Sequence, residues 1–218
     1  MSSVKVKVLG AANEVGRSGF LVNSDNTNLL LDYGVMFAKK RTDPPSYPLH
    51  VKPKEVDAAI ITHAHLDHSG CIPSLFNGGS ADVYSTSPTI DLSVLLIEDM
   101  LKIEKNQHEF DLRHVNNMIR NSKEIGFRQP VNVGDVKFEL RSSGHVIGGS
   151  TVIVEAKGKR LFYTGDINLR GSRMLPPADL DIGDVDLLIT ESTYSQAQQM
   201  PRAESEKGLL EFASEIMD

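Results

Sequence analysis

The apolar run Val56–Thr62 (VDAAIIT) leads directly into His63, His65, Asp67 and His68, within the segment Thr62–Gly70 (THAHLDHSG). The run itself has the pattern of a strand covered on both faces. The residues after it crowd four potential metal ligands into a stretch that no helix or strand could turn to one side, because their spacing fits neither period. A tight loop at the end of a buried strand can bring them to one point. The plainer reading of the same residues is a polar surface turn. Neutral imidazole and carboxylate are the ligands zinc takes, and so dense a cluster leaves room for two metals side by side.

Two distant segments have the same character. Ser142–Ser150 (SSGHVIGGS) sets His145 at a strand end among glycines, and Thr164–Asn168 (TGDIN) sets Asp166 just after the apolar LFY. Singly, such a histidine is an ordinary core or surface residue and such a Gly-Asp an ordinary turn. Together with the histidine loop they lie where strand-end loops converge, as a metal site requires.

The remaining pattern runs from strands to helices and back to strands. Val4–Leu9 alternates apolar and charged residues, which predicts a half-buried strand. Phe20–Asn23 and Asn28–Leu31 predict two more, joined by a polar turn. Gly10–Gly19 (GAANEVGRSG) is a small, polar loop without the GK[ST] of a phosphate-cradling P-loop. Val35–Pro53, with its prolines, is an irregular connection. Helical spacing of apolar residues marks Pro88–Lys105, and Asp111–Ile125 reads as a second helix capped by Asp111. Strands resume at Val136–Arg141, Thr151–Glu155, Arg160–Tyr163 and Val185–Thr190, before a last helix near Glu204–Met217. This order predicts stacked sheets flanked by helices.

Composition narrows the function. With 40% hydrophobic residues the chain has enough apolar material for a core, which excludes disorder as its main state. Its longest apolar runs, Ala58–Ile61 and Val94–Ile97, are far too short to span a bilayer, and the N-terminus lacks a secretory pattern. A single cysteine, Cys71, fits a reducing, cytoplasmic setting and packs as a small apolar residue rather than a ligand. A net charge of −6 argues against nucleic-acid binding by bulk positive charge, but not against a nucleic-acid enzyme whose chemistry sits on metal ions. Lys39, Lys40 and Arg41 form a short basic run, a solvated loop or a contact for RNA phosphate, and Arg170 and Arg173 follow the TGDIN loop closely enough to face one. Aromatic residues are 6% with no tryptophan, so no base-stacking platform is evident.

The combination EVGRSG, LLDYG, HAHLDHSG, GHVIGG, YTGDIN and ESTY resembles the metallo-β-lactamase superfamily of metal hydrolases. ESTY at Glu191–Tyr194 resembles the entry to its β-CASP branch, whose members are nucleases, and the whole is most similar to archaeal homologues of the nuclease subunit of the cleavage and polyadenylation specificity factor. The resemblance implies an αββα sandwich, its second sheet incomplete in this chain. Residues 1–194 would be the N-terminal part of the metallo-β-lactamase domain and residues 195–218 the start of a β-CASP domain. His63, His65 and His145 would hold one Zn²⁺, Asp67 and His68 would contribute to a second, and Asp166 would bridge them. Asp67 would also orient the nucleophile. Glu191 would orient a later histidine, and Asp32 would fix the loop that carries the ligands.

The implied activity is zinc-dependent hydrolysis of single-stranded RNA, in mRNA 3′-end processing or RNA decay, within a homodimer or an RNA-processing complex. In that family a later histidine completes the second zinc site and another acts as the acid. After His145 this chain has no histidine, and His50, His108 and His114 match no motif. The chain therefore reads as the N-terminal half of a longer enzyme, inactive or slow alone. Two other readings stand beside this one: a superfamily hydrolase acting on a thioester, lactam or small phosphodiester, and a non-catalytic fragment or subunit of an RNA-processing complex.

Overall fold

Leu29, Leu30 and Leu31 are all fully buried, although successive side chains of a strand point to opposite faces. Such a strand must have a packed layer on each side. The computed structural model, which describes residues 3–38, 43–104 and 107–217, supplies both. Strands β1 (Lys5–Gly10), β2 (Gly19–Asn23), β3 (Asn28–Tyr33), β4 (Ala58–Ile60), β5 (Asp82–Ser85) and β6 (Ser122–Glu124) form a first sheet in that order. It is antiparallel from β1 to β3 and parallel from β3 to β6. The second sheet runs β11-β10-β9-β8-β7, from β7 (Val131–Val133), β8 (Val136–Ser142), β9 (Ser150–Ala156), β10 (Lys159–Tyr163) and β11 (Leu187–Ile189).

Leu29, Leu31, Ala58 and Ile60 meet Phe138, Leu140, Val152 and Val154 in a core between the sheets. The alternate residues Leu30, Ala59 and Ile61 join a second core with Ile97, Met100, Val115 and Met118. These last four lie on α2 (Ser87–Ile103) and α3 (Leu112–Asn121), which cover the outer face of the first sheet. The one-turn helix α1 (Leu66–Ser69) follows β4, and α4 (Arg202–Met217), which has no buried residue, follows β11. The stacked sheets with outer helices are those the sequence predicts. Among the described residues no helix is long and apolar enough to cross a membrane.

The differences are local. The second helix, expected to run to Ile125, ends at Asn121, and Ser122–Glu124 pairs with β5 instead. Ile125 is then buried in the core between the sheets rather than on a helix face. Sheet pairing outweighs a helical pattern whose last turn has little apolar surface to bury. Asp111 does cap α3, its carboxylate accepting a hydrogen bond from Arg113 N at 2.9 Å. Strands β5 and β7 were not expected. Both are short, and their pattern is too brief to separate from a turn. Lys39, Lys40 and Arg41 lie outside the described residues.

Ile60 sits at the centre of this arrangement with no exposed surface. Ile60→Ala is expected to lower the unfolding free energy by about 2–5 kcal/mol in urea denaturation. A loss under about 0.5 kcal/mol, the range of surface substitutions, would show that the inter-sheet core is not tightly packed there.

Candidate metal centre

The site lies at one edge of the sandwich, where β3, β4 and β10 end in polar loops. Its foundation is Asp32, at the end of β3 and fully buried. One carboxylate oxygen accepts from Thr62 N at 2.7 Å. The other accepts from Thr62 Oγ1 at 2.7 Å, His68 Nδ1 at 2.8 Å and Tyr163 OH at 2.8 Å. Asp32 thereby ties β3 to the loop after β4, to α1 and, across the sandwich, to β10. Its backbone is left-handed (φ 54°), a conformation that these side-chain bonds hold in place. Two residues further on, Gly34 carries Asp67 O against its Cα, so closely that any Cβ would overlap that carbonyl. Glycine is thus required where the metal loop packs on the end of β3.

Donor accounting sets the ring orientations. Thr62 Oγ1 gives its proton to Asp32, so at 3.1 Å it accepts from His63 Nδ1–H. His63 Nε2 is left with its lone pair, facing His65 Nδ1 at 3.0 Å and Asp166 Oδ2 at 3.7 Å. His145 Nε2 lies 3.4 Å from His65 Nδ1 and 3.4 Å from Asp166 Oδ2. One ligand atom from each of His63, His65, His145 and Asp166 lies within 4.8 Å of all the others. Three imidazole nitrogens and one carboxylate oxygen converging on a point suit a divalent ion such as zinc. Burial drives His63 well below the usual imidazole range and lowers His145 as well, which favours the neutral, lone-pair form a metal needs.

A second group adjoins the first. His68 Nε2 lies 3.3 Å from Asp166 Oδ1 and 3.9 Å from Asp67 Oδ2. Burial alone would lower the His68 imidazole, but the charges of Asp32 and Asp166 reverse this and hold it at about 10. Burial likewise works to raise the Asp166 carboxyl, and the His68 contact overcomes it, keeping Asp166 well below the usual carboxylate range. Tyr163 is pushed far up by burial beside Asp32, so its hydroxyl remains a donor. The open side is a cleft of about 470 Å³ that includes Ser18, Asp67, His68, Asp166 and Glu191.

His63, His65, His145 and Asp166 are thus brought together, and His68 stands beside both Asp166 and Asp67. Glu191 reaches the cleft differently: its Oε1 accepts from Ile167 N at 2.9 Å and so buttresses the loop that presents Asp166. Arg173 is forked onto Glu206 of α4, with contacts of 3.1 and 2.6 Å, and away from the cluster. Cys71 is buried among apolar residues, where burial pushes its thiol up to about 12. His108 is engaged by Tyr47 and Glu104, and His114 by Asp111 at the start of α3. The sequence does not reveal Tyr163 or Ser18. Tyr163 had one available signal, a tyrosine ending a buried strand immediately before TGD. Ser18 had its place in EVGRSG, a motif that carries the family resemblance without singling out the serine.

Two outcomes follow from this geometry. Zinc content per chain, read by elemental analysis, should fall with His65→Ala, and unchanged content would remove His65 from the site. In chelator-treated protein, His68 has a folded value near 10 against 6.5 for the free group. Its contribution to stability is therefore complete below about pH 6.5 and is lost as the pH rises through about 10. Thermal melts should show that decline, and His68→Gln should remove it; a decline of equal size in the variant would assign it to other groups.

The description "metallo-beta-lactamase superfamily domain" matches residues 21–194. Over 216 residues the chain is 32% identical to RNase aCSPSF2 of Saccharolobus solfataricus, covering 98% of this chain and 43% of that protein. Over 218 residues it is 36% identical to an RNase J-like protein of Methanocaldococcus jannaschii, covering 99% of this chain and 49% of the relative. The chain spans about half the length of these relatives. A solved metallo-β-lactamase of Cronobacter sakazakii with a HARLDQ motif aligns with a TM-score of 0.53 at 17% identity, over 85% of this chain and 76% of that one, a likeness of fold alone. With its two sheets, its histidine loop after β4 and the match over most of its length, the chain belongs to the metallo-β-lactamase superfamily.

Proposed function

We propose that this chain carries the metal centre of a zinc-dependent ribonuclease that hydrolyses phosphodiester bonds of single-stranded RNA. The observation that supports this most is the convergence of His63, His65, His145 and Asp166 within 4.8 Å, in a chain that has relatives named as RNases over nearly its whole length. In this reading His63, His65 and His145 would hold one zinc, Asp67 and His68 would contribute to a second, and Asp166 would serve both. The metals would supply a water made acidic enough to ionise near pH 7 and positive charge against the phosphate oxygens.

The chain's own residues supply the rest. Asp67 faces the cleft with its side chain 36% exposed, where Oδ2 can take a proton from an attacking water. Asp32 and Thr62 hold the rings of His68 and His63, since a ligand left unoriented binds weakly. Glu191 holds the Asp166 loop through Ile167 N. Residues 195–218, with α4, are assigned in this reading to the start of a β-CASP domain.

The test is cleavage of labelled single-stranded RNA by the natural polypeptide that contains these residues. Chelation should stop it, and Asp67→Ala should slow it by about 10²- to 10⁴-fold, the usual contribution of a positioned acid or base. Equal rates for variant and parent would remove Asp67 from the chemistry. Metal-dependent hydrolysis of a thioester or lactam with no action on RNA would favour another hydrolase of the superfamily.

A further inference from the structure

The loop between β1 and β2 approaches the metal cleft in an unusual backbone conformation. Ala11, Asn13 and Arg17 are left-handed, at φ 62°, 59° and 43°. Three side-chain contacts hold the loop there: Arg17 grips Glu14 with contacts of 2.7 and 3.0 Å and donates to Tyr47 O at 3.0 Å. Strain of this kind persists only where the surroundings enforce it. What the loop delivers is Ser18. Its N–H donates to Asp67 O at 2.8 Å, and its carbonyl accepts from Gly34 N at 2.9 Å. Ser18 is thus pinned to both the metal loop and the end of β3, and it is 5% exposed.

Its hydroxyl is poorly used. Among the described residues its side-chain partner is His68 Nε2, at a long 3.4 Å. Nδ1 of the same ring is committed to Asp32 at 2.8 Å, so Nε2 is the atom His68 can offer a metal. Once it does, that nitrogen has neither proton nor lone pair for Ser18. A buried, rigidly held hydroxyl then faces the cleft beside Asp67 and His68 with its donor unspent.

We infer that Ser18 binds substrate phosphate, its hydroxyl donating to a non-bridging oxygen held at the metal centre. This rests on the phosphodiesterase reading above and adds to it a donor that no metal-ligand motif contains. A hydroxyl is apt for the task because it discriminates an anionic oxygen without adding charge, and hydrogen bonds to charged acceptors are the stronger kind. Serine hydroxyls are among the ordinary partners of nucleic-acid phosphates.

The experiment measures inorganic phosphate binding to the zinc-loaded chain by calorimetry, with zinc content determined on the same samples. Ser18→Ala removes the hydroxyl, and Ser18→Cys keeps its volume with a much weaker donor. Both should bind phosphate about tenfold more weakly or worse, at unchanged zinc content. Wild-type affinity in both variants would overturn the inference. So would loss in the alanine variant alone, which would assign Ser18 a packing role, or a fall in zinc content, which would assign it to the metal ligands. Failure of the zinc-loaded wild type to bind phosphate would overturn it too. RNA cleavage by the natural polypeptide separates the two readings. Undiminished cleavage with Ser18→Ala would remove Ser18 and leave the ribonuclease standing, whereas no cleavage by the unaltered protein would remove the ribonuclease and leave the phosphate measurement intact.

Discussion

A single buried carboxylate organises the molecule's functional edge. Asp32 has no solvent exposure and accepts from Thr62 N, Thr62 Oγ1, His68 Nδ1 and Tyr163 OH. A charge in such a place is tolerable only with a partner and a full set of donors, and Asp32 has both. The dependence also runs the other way. Remove the carboxylate and three side chains from both sheets are left with buried donors facing nothing, a cost that falls on the site's geometry as much as on stability. Asp32 thus does for the polar edge what Leu31 and Ile60 do for the interior, joining the first sheet to the second.

The layering explains why the site forms where it does. Beside β3, strands β4 and β5 run parallel to it, so their ends and the loops that follow gather at one edge. Strand β10 brings Tyr163 and the Asp166 loop to that edge from the other sheet. Close backbone approach completes the assembly. At Gly34 the chain passes against Asp67 O, and at Gly165, itself left-handed at φ 51°, a Cβ would meet Thr62 Oγ1 at 2.8 Å. Rigid strands fix the ends, small residues let the loops touch, and hydrogen bonds from Asp32 fix the rings. Candidate ligand atoms on three separate segments can then converge without a long flexible connection.

How much of this can be read in the sequence follows from the range of each interaction. The histidine loop was legible because its four ligand-type residues fall within six positions, and His145 and Asp166 because each follows a clear apolar strand. The stacking of layers was legible in Val56–Thr62, whose apolar run calls for cover on both faces. Strand β6 was not, since Ser122–Glu124 is polar and becomes a strand only because β5 offers an edge to pair with. Ser18 and Tyr163 were hidden for a related reason. Their motifs, EVGRSG and YTGDIN, mark the segments but not these two side chains, whose contacts are with the metal loop and the end of β3. Glu191, which the resemblance assigns to orienting a later histidine, places its carboxylate on the backbone at Ile167 in this chain.

The electrostatics of the cleft follow from these contacts and connect metal to substrate. Asp32, Asp67, Asp166 and Glu191 gather around the site, while burial keeps His63 and His145 toward their neutral forms. The protonated His68 is the cationic side chain at the centre, and it is already paired with Asp32 and Asp166. Without metal, such a cleft on a chain of net charge −6 repels a phosphate. In the proposed reading, two divalent ions bound there would reverse the local sign and displace the His68 proton, so anion affinity would appear only in the loaded state. Coupling of this kind is reciprocal: whatever metal does for phosphate, phosphate must do for metal. The protein need not then carry a basic groove at this point. Its acidic ligands would hold the ions, the ions would attract the anion, and neutral donors on the rigid surround would be left to orient it.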